Sequence, residues 1–224
     1  MLRFSSRVSI ARSASVLWFA SVCARTLSPV RSRGLFCVCC LPLLALDSNV
    51  PHGLGDGQYE IRVKQCAAAI AVLQLKFPTV KQLRDVSLEQ LMSVEQMMDE
   101  ESFFRARHVI TENDRTVRCA SLLAAGDYAR LGQLMTHSHV SMKNDYEISC
   151  DEVDTLVDIA LELPGVYGSR MTGGGFGGCT VTLVAASEVE KVAEAIREEY
   201  KEQTGIEATT IITRPGPGAT IIKL

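Results

Sequence analysis

The feature that most constrains the fold is a run of glycines late in the chain. Five of the six residues from Gly173 to Gly178 are glycine, and the run separates two segments, 166–171 and 179–185, that favour β-strands. Without a Cβ, such a backbone adopts positive φ angles and approaches neighbouring groups closely. Its exposed N–H groups are able to form an anion-binding nest. The alternative, a flexible and tight connection between two strands, stays open at this point.

Two common nucleotide-binding motifs are excluded by the residues after the run. Gly173, Gly175 and Gly178 match the spacing of the dinucleotide fingerprint, but that motif opens a helix. Here the next residues are CTVTLV from Cys179, an alternating β-branched pattern typical of a strand. A Walker A loop requires Lys followed by Ser or Thr, and no such pair comes after this run.

Helical spacing and capping signals predict most of the chain before the glycine run as helix. In the pattern Ser-x-x-Gln or Ser-x-x-Glu, the serine accepts hydrogen bonds from free N–H groups at a helix start, and it occurs at Ser87, Ser149 and Ser187. The predicted helices are 59–77, 87–98, 101–125, 127–141, one that begins after Ser149 and ends at Pro164-Gly165, and one that begins after Ser187. In the first of them, the residues that keep helical spacing are Ile61, Val63, Cys66, Ala69, Ile70 and Leu73.

Strand patterns lie mainly after these helices. The predicted strands are 41–46, 166–171, 179–185, 208–213 and 219–223. The last two flank the turn Pro215-Gly216-Pro217-Gly218. Helices followed by strands around a further helix indicate the α+β class.

The charge is divided unevenly along the chain. The first 45 residues contain six arginines and eight serines but neither lysine nor acid, and the first carboxylate is Asp47. Of the 23 basic residues, 17 therefore remain against 26 acids, which gives the rest of the chain a net charge of about −9. Binding to nucleic acid requires concentrated Lys and Arg, so a nucleic-acid partner is excluded. No apolar stretch reaches the ~18 residues that a membrane span needs, so no membrane partner is expected.

Residues 1–40 are predicted to be a leader, either disordered or presequence-like. Arginine-rich, serine-rich, acid-free starts resemble mitochondrial transit peptides. Alternatives are a short signal-peptide core at 16–24 and an unusual start with no targeting role. The predicted compartment is the cytoplasm, or the mitochondrion if the leader is a real presequence. Cys37, Cys39 and Cys40 have no accompanying His or second CxxC pair, so no metal site is predicted.

The segment GSRMTGGGFGGC, residues 168–179, closely resembles the third conserved motif of the GHMP sugar kinases, in the form seen in galactokinases. Three earlier segments are similar to galactokinases in the same order along the chain. They are Ser48-Asn49-Val50 with His52 and Tyr59, Arg105-Ala106-Arg107-His108-Val109, and Ser138-His139-Val140-Ser141 with Asp145 to Cys150. The glycine motif is less similar to that of N-acetylgalactosamine kinases, which usually differs at the positions of Met171 and Phe176.

The resemblance implies a GHMP-kinase C-terminal-type domain over 61–224, with helices packed on a small, mostly antiparallel sheet. Residues 41–60 are then expected to be a remnant strand and loop of an N-terminal kinase domain. If strand 41–46 belongs to the sheet of that other domain, its edge is left unpaired and prone to aggregation.

The implied activity is phosphorylation of galactose at its anomeric hydroxyl, with ATP and Mg²⁺ as cofactors. By similarity, Tyr59 contacts the sugar. Asn49 and His52 lie where the sugar and nucleotide pockets adjoin. Arg170 either supplies positive charge near the phosphates or forms a structural ion pair beneath the loop. The residues expected beside the nucleotide phosphates are Gly173, Gly174, Gly175, Gly177 and Gly178.

Three other galactokinase segments have no counterpart in the sequence before Leu41. They are an early sugar-binding Gly-Glu-His-x-Asp type segment, a Pro-x-Gly-x-Gly-Leu-Ser-Ser-Ser phosphate loop and the Asp that serves as the base. No catalytic residue is therefore assigned, no Mg²⁺ ligand is identified, and the chain is expected to be a truncated form with little activity alone. The alternatives are a regulator that binds galactose and ATP without turnover, and an N-acetylgalactosamine kinase-like enzyme.

Overall fold

A four-stranded antiparallel sheet with helices on both faces forms the described part of the protein. The structure, a computed structural model, describes residues 41–51 and 57–216. The strands are β1 (Leu43–Asp47), β2 (Val166–Thr172), β3 (Cys179–Val184) and β4 (Thr209–Thr213). They are ordered β2-β3-β1-β4, and every neighbouring pair is antiparallel. The predicted α+β class with a small antiparallel sheet is confirmed, whereas the predicted strand 219–223 lies outside the described residues.

Six α-helices accompany the sheet in the described ranges. They are α1 (Gln58–Lys76), α2 (Leu88–Met92), α3 (Glu100–Ala125), α4 (Tyr128–Asn144), α5 (Asp151–Glu162) and α6 (Val189–Thr204). The predicted helix 87–98 is interrupted, since α2 is followed by the separate 3₁₀ turn Glu95–Met97. After α2 the chain turns inward and buries Val94 beside Leu91. No helix in the described ranges is both long and apolar enough to cross a membrane.

Only one of the three predicted serine caps forms. The Ser87 hydroxyl accepts from the Gln90 N–H, and the Gln90 side chain accepts from the Ser87 N–H, as predicted for a capping box. The predicted cap at Ser149 is wrong, because its hydroxyl donates instead to the Asp154 carboxylate at 2.5 Å, a stronger charge-assisted bond. The cap at Ser187 is also wrong, since α6 begins one residue later, after Glu188.

Strand β1 is an interior strand of the sheet. Leu44 lies opposite Thr182 of β3 on one side and Ile212 of β4 on the other. The expectation of an unpaired edge at this strand is therefore wrong. The strand alternates between buried and half-buried residues, as a strand covered on both faces does. In the described residues β1 thus belongs to the same sheet as β3 and β4, while the division of the chain into segments 41–60 and 61–224 stays a prediction.

The two faces of the sheet are buried against different helices. On one face, Leu44 and Leu46 pack with Leu156 of α5 and Ile196 of α6. On the other face, the sheet packs against α3 and α4. The sheet side supplies Leu41, Leu43, Val181 and Leu183, and the helices supply Leu123, Leu131 and Met135. A separate cluster joins α1, α2 and α3 through residues such as Leu73, Leu91 and Phe103. The glycine run begins directly after β2 and connects it to β3.

Candidate functional site

The backbone of the glycine run takes the left-handed conformations that its sequence predicts. The φ angles are 107° at Gly173, 93° at Gly175, 131° at Gly177 and 83° at Gly178, and the non-glycine Phe176 also has a φ of 63°. Residues with a Cβ rarely adopt such φ angles. The run is hereafter called the glycine loop, residues Gly173–Gly178.

The glycine loop is held by hydrogen bonds at its tip and at its end. The Phe176 N–H donates to the Ile148 carbonyl at 2.6 Å, and the Gly178 carbonyl accepts from the Ser48 N–H at 2.9 Å. A Cβ on Gly175 would lie 2.3 Å from the same Ile148 oxygen. These contacts disagree with the alternative of a merely flexible connection.

The other side of the glycine loop is open. A Cβ built on Gly173 or Gly174 would meet no atom within 4 Å. The space where a side chain would begin is thus open at Gly174 and filled at Gly175. A small anionic group such as a phosphate fits that arrangement, because backbone N–H groups in successive loop residues favour anions.

Two buried arginines hold the chain segment on which the loop tip rests. This segment, Asp145–Ile148, is called the support turn. Arg62 of α1 donates from Nε to the Tyr146 carbonyl at 2.7 Å and from Nη2 to the Glu147 carbonyl at 2.8 Å. Arg105 of α3 donates to the Asp145 carbonyl at 2.6 Å and to Glu147 Oε2 at 2.6 Å. Arg62 is 8% exposed and Arg105 is 1% exposed, so both guanidinium groups interact with protein acceptors rather than with solvent.

The aromatic and imidazole groups beside the support turn are structural. The His108 ring stacks on Tyr146 with centroids 4.6 Å apart, and His108 Nδ1 lies 2.9 Å from Ser141 Oγ. Burial lowers the pKa of His108 to about 4 and raises the pKa of Tyr146 to about 12. Both groups are therefore neutral near pH 7, and they pack rather than exchange protons.

Tyr59, the predicted sugar contact, lies in the first turn of α1 and is 82% exposed. It precedes Arg62 by three residues, which is nearly one helical turn. It is also close enough to Tyr146 to contribute, after burial and Cys66, to that residue's raised pKa. The helix that carries Tyr59 thus reaches the support turn, and the support turn reaches the glycine loop.

Arg170 does not supply a free charge to the glycine loop. Its Nη1 lies 3.1 Å from Glu112 Oε1, and its Nε donates to the Met171 carbonyl at 3.0 Å. Burial lowers the pKa of Arg170, and the Glu112 carboxylate acts in the opposite direction. Of the two interpretations of this residue, the structure favours the structural ion pair.

Asn49 is occupied by contacts within the fold. Its φ is 54°, and its side-chain amide donates to the Glu207 carbonyl at 2.6 Å and to Thr209 Oγ1 at 3.1 Å. The amide joins the end of β1 to the start of β4. A role in lining a pocket stays a prediction, and His52 lies outside the described residues.

Neither a thiol nucleophile nor a metal cluster is found beside the loop. The Cys179 pKa is raised to about 11 by burial and by the nearby Asp47 carboxylate, so the thiolate is scarce near pH 7. Within residues 41–51 and 57–216, no three His, Cys, Asp or Glu side chains are grouped as ligands for a metal ion. No Mg²⁺ ligand is assigned among the described residues; this ion is usually held by one or two carboxylates together with substrate phosphates and water.

The residues that the sequence patterns miss are Arg62 and Ile148. In α1, the apolar spacing includes Ile61 and Val63, yet these are 41% and 50% exposed while Arg62 between them is buried. An arginine flanked by apolar residues in a helix carries no pattern that reveals carbonyl groups 84 and 85 residues away. Arg105 belongs to a family-like segment, but that resemblance does not predict its partners.

The chain is similar to galactokinases over most of its length. The family model "GHMP kinases C terminal" matches residues 119–202. Galactokinase from Bos taurus is 45% identical over 182 residues, which are 81% of this chain and 44% of the relative. Galactokinase from Homo sapiens is 44% identical over 184 residues, 82% of this chain and 45% of the relative.

A solved structure agrees with the sequence comparison. The crystal structure of Lactococcus lactis galactokinase complexed with galactose superposes with a TM-score of 0.75 and 33% identity, over 80% of this chain and 46% of that chain. The chain thus spans less than half the length of these relatives.

Proposed function

The chain belongs to the galactokinase family of the GHMP kinases, and on that premise we propose that it supplies the C-terminal part of a site that phosphorylates galactose with ATP. In this reaction the anomeric hydroxyl oxygen attacks the γ-phosphorus, and ADP leaves. One observation carries the proposal: α1, which bears Tyr59, and the glycine loop are both hydrogen-bonded to the support turn. The element proposed to contact the sugar and the loop proposed to contact the phosphates are thereby joined through one segment.

The glycine loop is proposed to face the nucleotide phosphates with its open side. Phosphoryl transfer depends mainly on positioning and on electrostatic stabilisation of the transferred group. A Cβ on Gly174 would meet no atom within 4 Å, so oxygen atoms of a phosphate have room to approach the loop at that residue. The positive charge that the phosphates need is not assigned to Arg170, because Glu112 already pairs with it.

Tyr59 is proposed to bind the sugar through its exposed hydroxyl. An exposed tyrosine combines an apolar ring with a polar tip, which suits the alternating faces and hydroxyls of a hexose. The group that takes the proton from the anomeric hydroxyl is assigned to no residue of this chain. Without it the transition state loses a main stabilising interaction, so turnover by the purified 224-residue chain alone is expected to be negligible.

Ligand titrations of the purified 224-residue chain test this proposal. Galactose and ATP are titrated separately and together by calorimetry, with N-acetylgalactosamine as the competing sugar and ADP release measured in parallel. We expect binding of galactose and of ATP, weaker binding of N-acetylgalactosamine, and no galactose-dependent ADP release above the blank. Absence of binding by both galactose and ATP contradicts the proposal. Preference for N-acetylgalactosamine contradicts the choice of sugar, and rapid ADP release contradicts the expected lack of turnover.

A pair of hydroxyl deletions localises the sugar site. Tyr59→Phe is expected to weaken galactose binding severalfold and to leave ATP binding unchanged, because it removes one hydrogen-bonding group. Tyr167→Phe is the matched control, since Tyr167 packs near Tyr128 at the start of α4. Equal effects of the two substitutions on galactose binding would remove Tyr59 from the site.

A further inference from the structure

We propose that Arg62 is a positioning residue, which sets the glycine loop through the support turn and so couples α1 to that loop. The structural part of this inference concerns the loop itself, whereas its consequence for ligands rests on the proposed function. None of the motifs that indicate the site includes Arg62. A series of hydrogen bonds leads from this residue in α1 to the loop tip.

The first step is the grip of Arg62 on two consecutive peptide groups. Its Nε and Nη2 donate to the carbonyls of Tyr146 and Glu147 at 2.7 and 2.8 Å. A planar guanidinium that binds two acceptors fixes direction as well as distance. Burying this charge is costly, and burial together with the nearby Arg105 charge lowers the pKa of Arg62. The two carbonyl groups offset this cost, so the guanidinium and the support turn stabilise each other.

The second step is the passage from these carbonyls to the loop. Glu147 has a φ of 51°, a left-handed conformation that is uncommon for a residue with a side chain. Arg62 holds the carbonyl of this residue, and Arg105 holds its carboxylate at 2.6 Å. Ile148 comes directly after it, and its carbonyl accepts the Phe176 N–H. Two arginines on two different helices thus hold the left-handed conformation of Glu147, the residue before Ile148.

The third step is the link to the sugar side. Tyr59 and Arg62 belong to the same helix and are nearly one turn apart. A shift of α1 at Tyr59 therefore moves the guanidinium that holds the support turn, and with it the acceptor for Phe176. If galactose and ATP both bind, the occupancy of either site is expected to raise the affinity of the other, since such coupling is reciprocal.

Amide hydrogen exchange on the 224-residue chain without ligands tests the structural claim. In Arg62→Met we expect the Phe176 amide to exchange at least about tenfold faster, because its local opening becomes easier. Arg62→Lys, which keeps the charge but not the two-carbonyl grip, is expected to restore part of the protection. Arg115→Met is the matched control, because Arg115 is a half-buried arginine of α3 that pairs with Glu112. Equal loosening in the control, or unchanged exchange in Arg62→Met, overturns the inference.

A double-mutant cycle keeps the test valid if Arg62→Met does not fold. Arg62→Gln retains one donor, and Gly175→Ala disrupts the loop contact directly because its Cβ would meet the Ile148 oxygen. If Arg62 acts through this contact, Arg62→Gln speeds exchange at Phe176 in the parent chain but has no further effect in the Gly175→Ala chain. Additive effects on exchange at that amide show an independent, general role and overturn the inference.

The expected coupling between galactose binding and ATP binding is measured separately. In the chain that binds both ligands, Arg62→Gln is expected to abolish the dependence of ATP affinity on galactose while the chain stays folded. Coupling that survives unchanged overturns the link to α1. Absence of any ligand binding in the unsubstituted chain contradicts the proposed function instead, and it leaves the exchange experiment as the test of Arg62.

Discussion

The two ends of strand β2 use glycine for different physical reasons. Near its beginning, Gly168 lies against Gly132 of α4, and a Cβ on Gly132 would lie 1.9 Å from the Tyr167 carbonyl oxygen. After its end, most residues of the glycine loop have positive φ, and a Cβ on Gly173 or Gly174 would meet nothing. The first site needs glycine because no volume is available, and the second needs it mainly for backbone conformation.

This difference separates a glycine required by close packing from glycines required by backbone conformation. A glycine in a helix interior costs about 1 kcal/mol relative to alanine, so Gly132 is retained for the close approach of α4 to the sheet. In the loop, a Cβ would clash at Gly175 but would meet no atom within 4 Å at Gly173 or Gly174. Under the proposed function, substitution of Gly174 is expected to affect ATP binding more than folding.

Gly132→Ala is the substitution expected to destabilise the protein most. The clash involves backbone of β2 that has no side-chain rotamer to change, so α4 must move away from the sheet. Overpacking costs about 1–3 kcal/mol and occasionally more, and contacts of 1.9 to 2.8 Å with backbone atoms place Gly132→Ala at the upper end of that range, at about 3 kcal/mol after the partial gain in helix propensity. Urea unfolding measures the change, with Gln133→Ala on the exposed face of the same helix as the control. Equal stability of the two variants would show that the close approach is not required.

Gly175→Ala is expected to have a smaller effect on stability and a larger one on the loop. The added Cβ would meet the Ile148 oxygen and carbon atoms at 2.3 to 3.2 Å, and the φ of 93° is strained for alanine. The expected loss is about 2 kcal/mol, with faster exchange of the Phe176 amide. Gly174→Ala is the matched control, because its backbone is not left-handed and its Cβ meets no atom. A loss beyond about 0.5 kcal/mol in the control would contradict this division.

Local sequence patterns predict the second kind of glycine but not the first. Consecutive glycines between strand patterns indicate an unusual backbone locally, so the position of the loop is predicted correctly. Gly132 and Gly168 are single glycines that meet across 36 residues of chain, and local patterns contain no information about such a contact. The same holds for Arg62, whose partners lie in the support turn. Local chemistry also competes, as the hydroxyl of Ser149 shows by binding Asp154 rather than capping α5.

A buried polar contact holds β2 between its two glycine sites. The Met171 N–H donates to His139 Nδ1 at 3.3 Å, and His139 Nε2 lies 3.2 Å from Asp154 Oδ1. Burial alone would raise the pKa of Asp154, but the contacts of this carboxylate with His139, Lys143 and Ser149 outweigh burial and lower the pKa to about 2. The ionised carboxylate therefore contributes to stability in the folded protein.

Acid is accordingly expected to lower the free energy of unfolding, by a smaller amount than Gly132→Ala does. Because the folded pKa lies below the unfolded value of about 3.9, the contribution is complete above pH 4 and is lost as the pH falls from about 4 to about 2. The loss amounts to about 1–2 kcal/mol. Unfolding by urea at several pH values measures it, and Asp154→Asn should flatten the dependence in that window whereas the exposed Asp158→Asn on the same helix should not. If both variants retain the parent slope, the ionised Asp154 carboxylate does not stabilise the contact between His139 and Met171 near the end of β2.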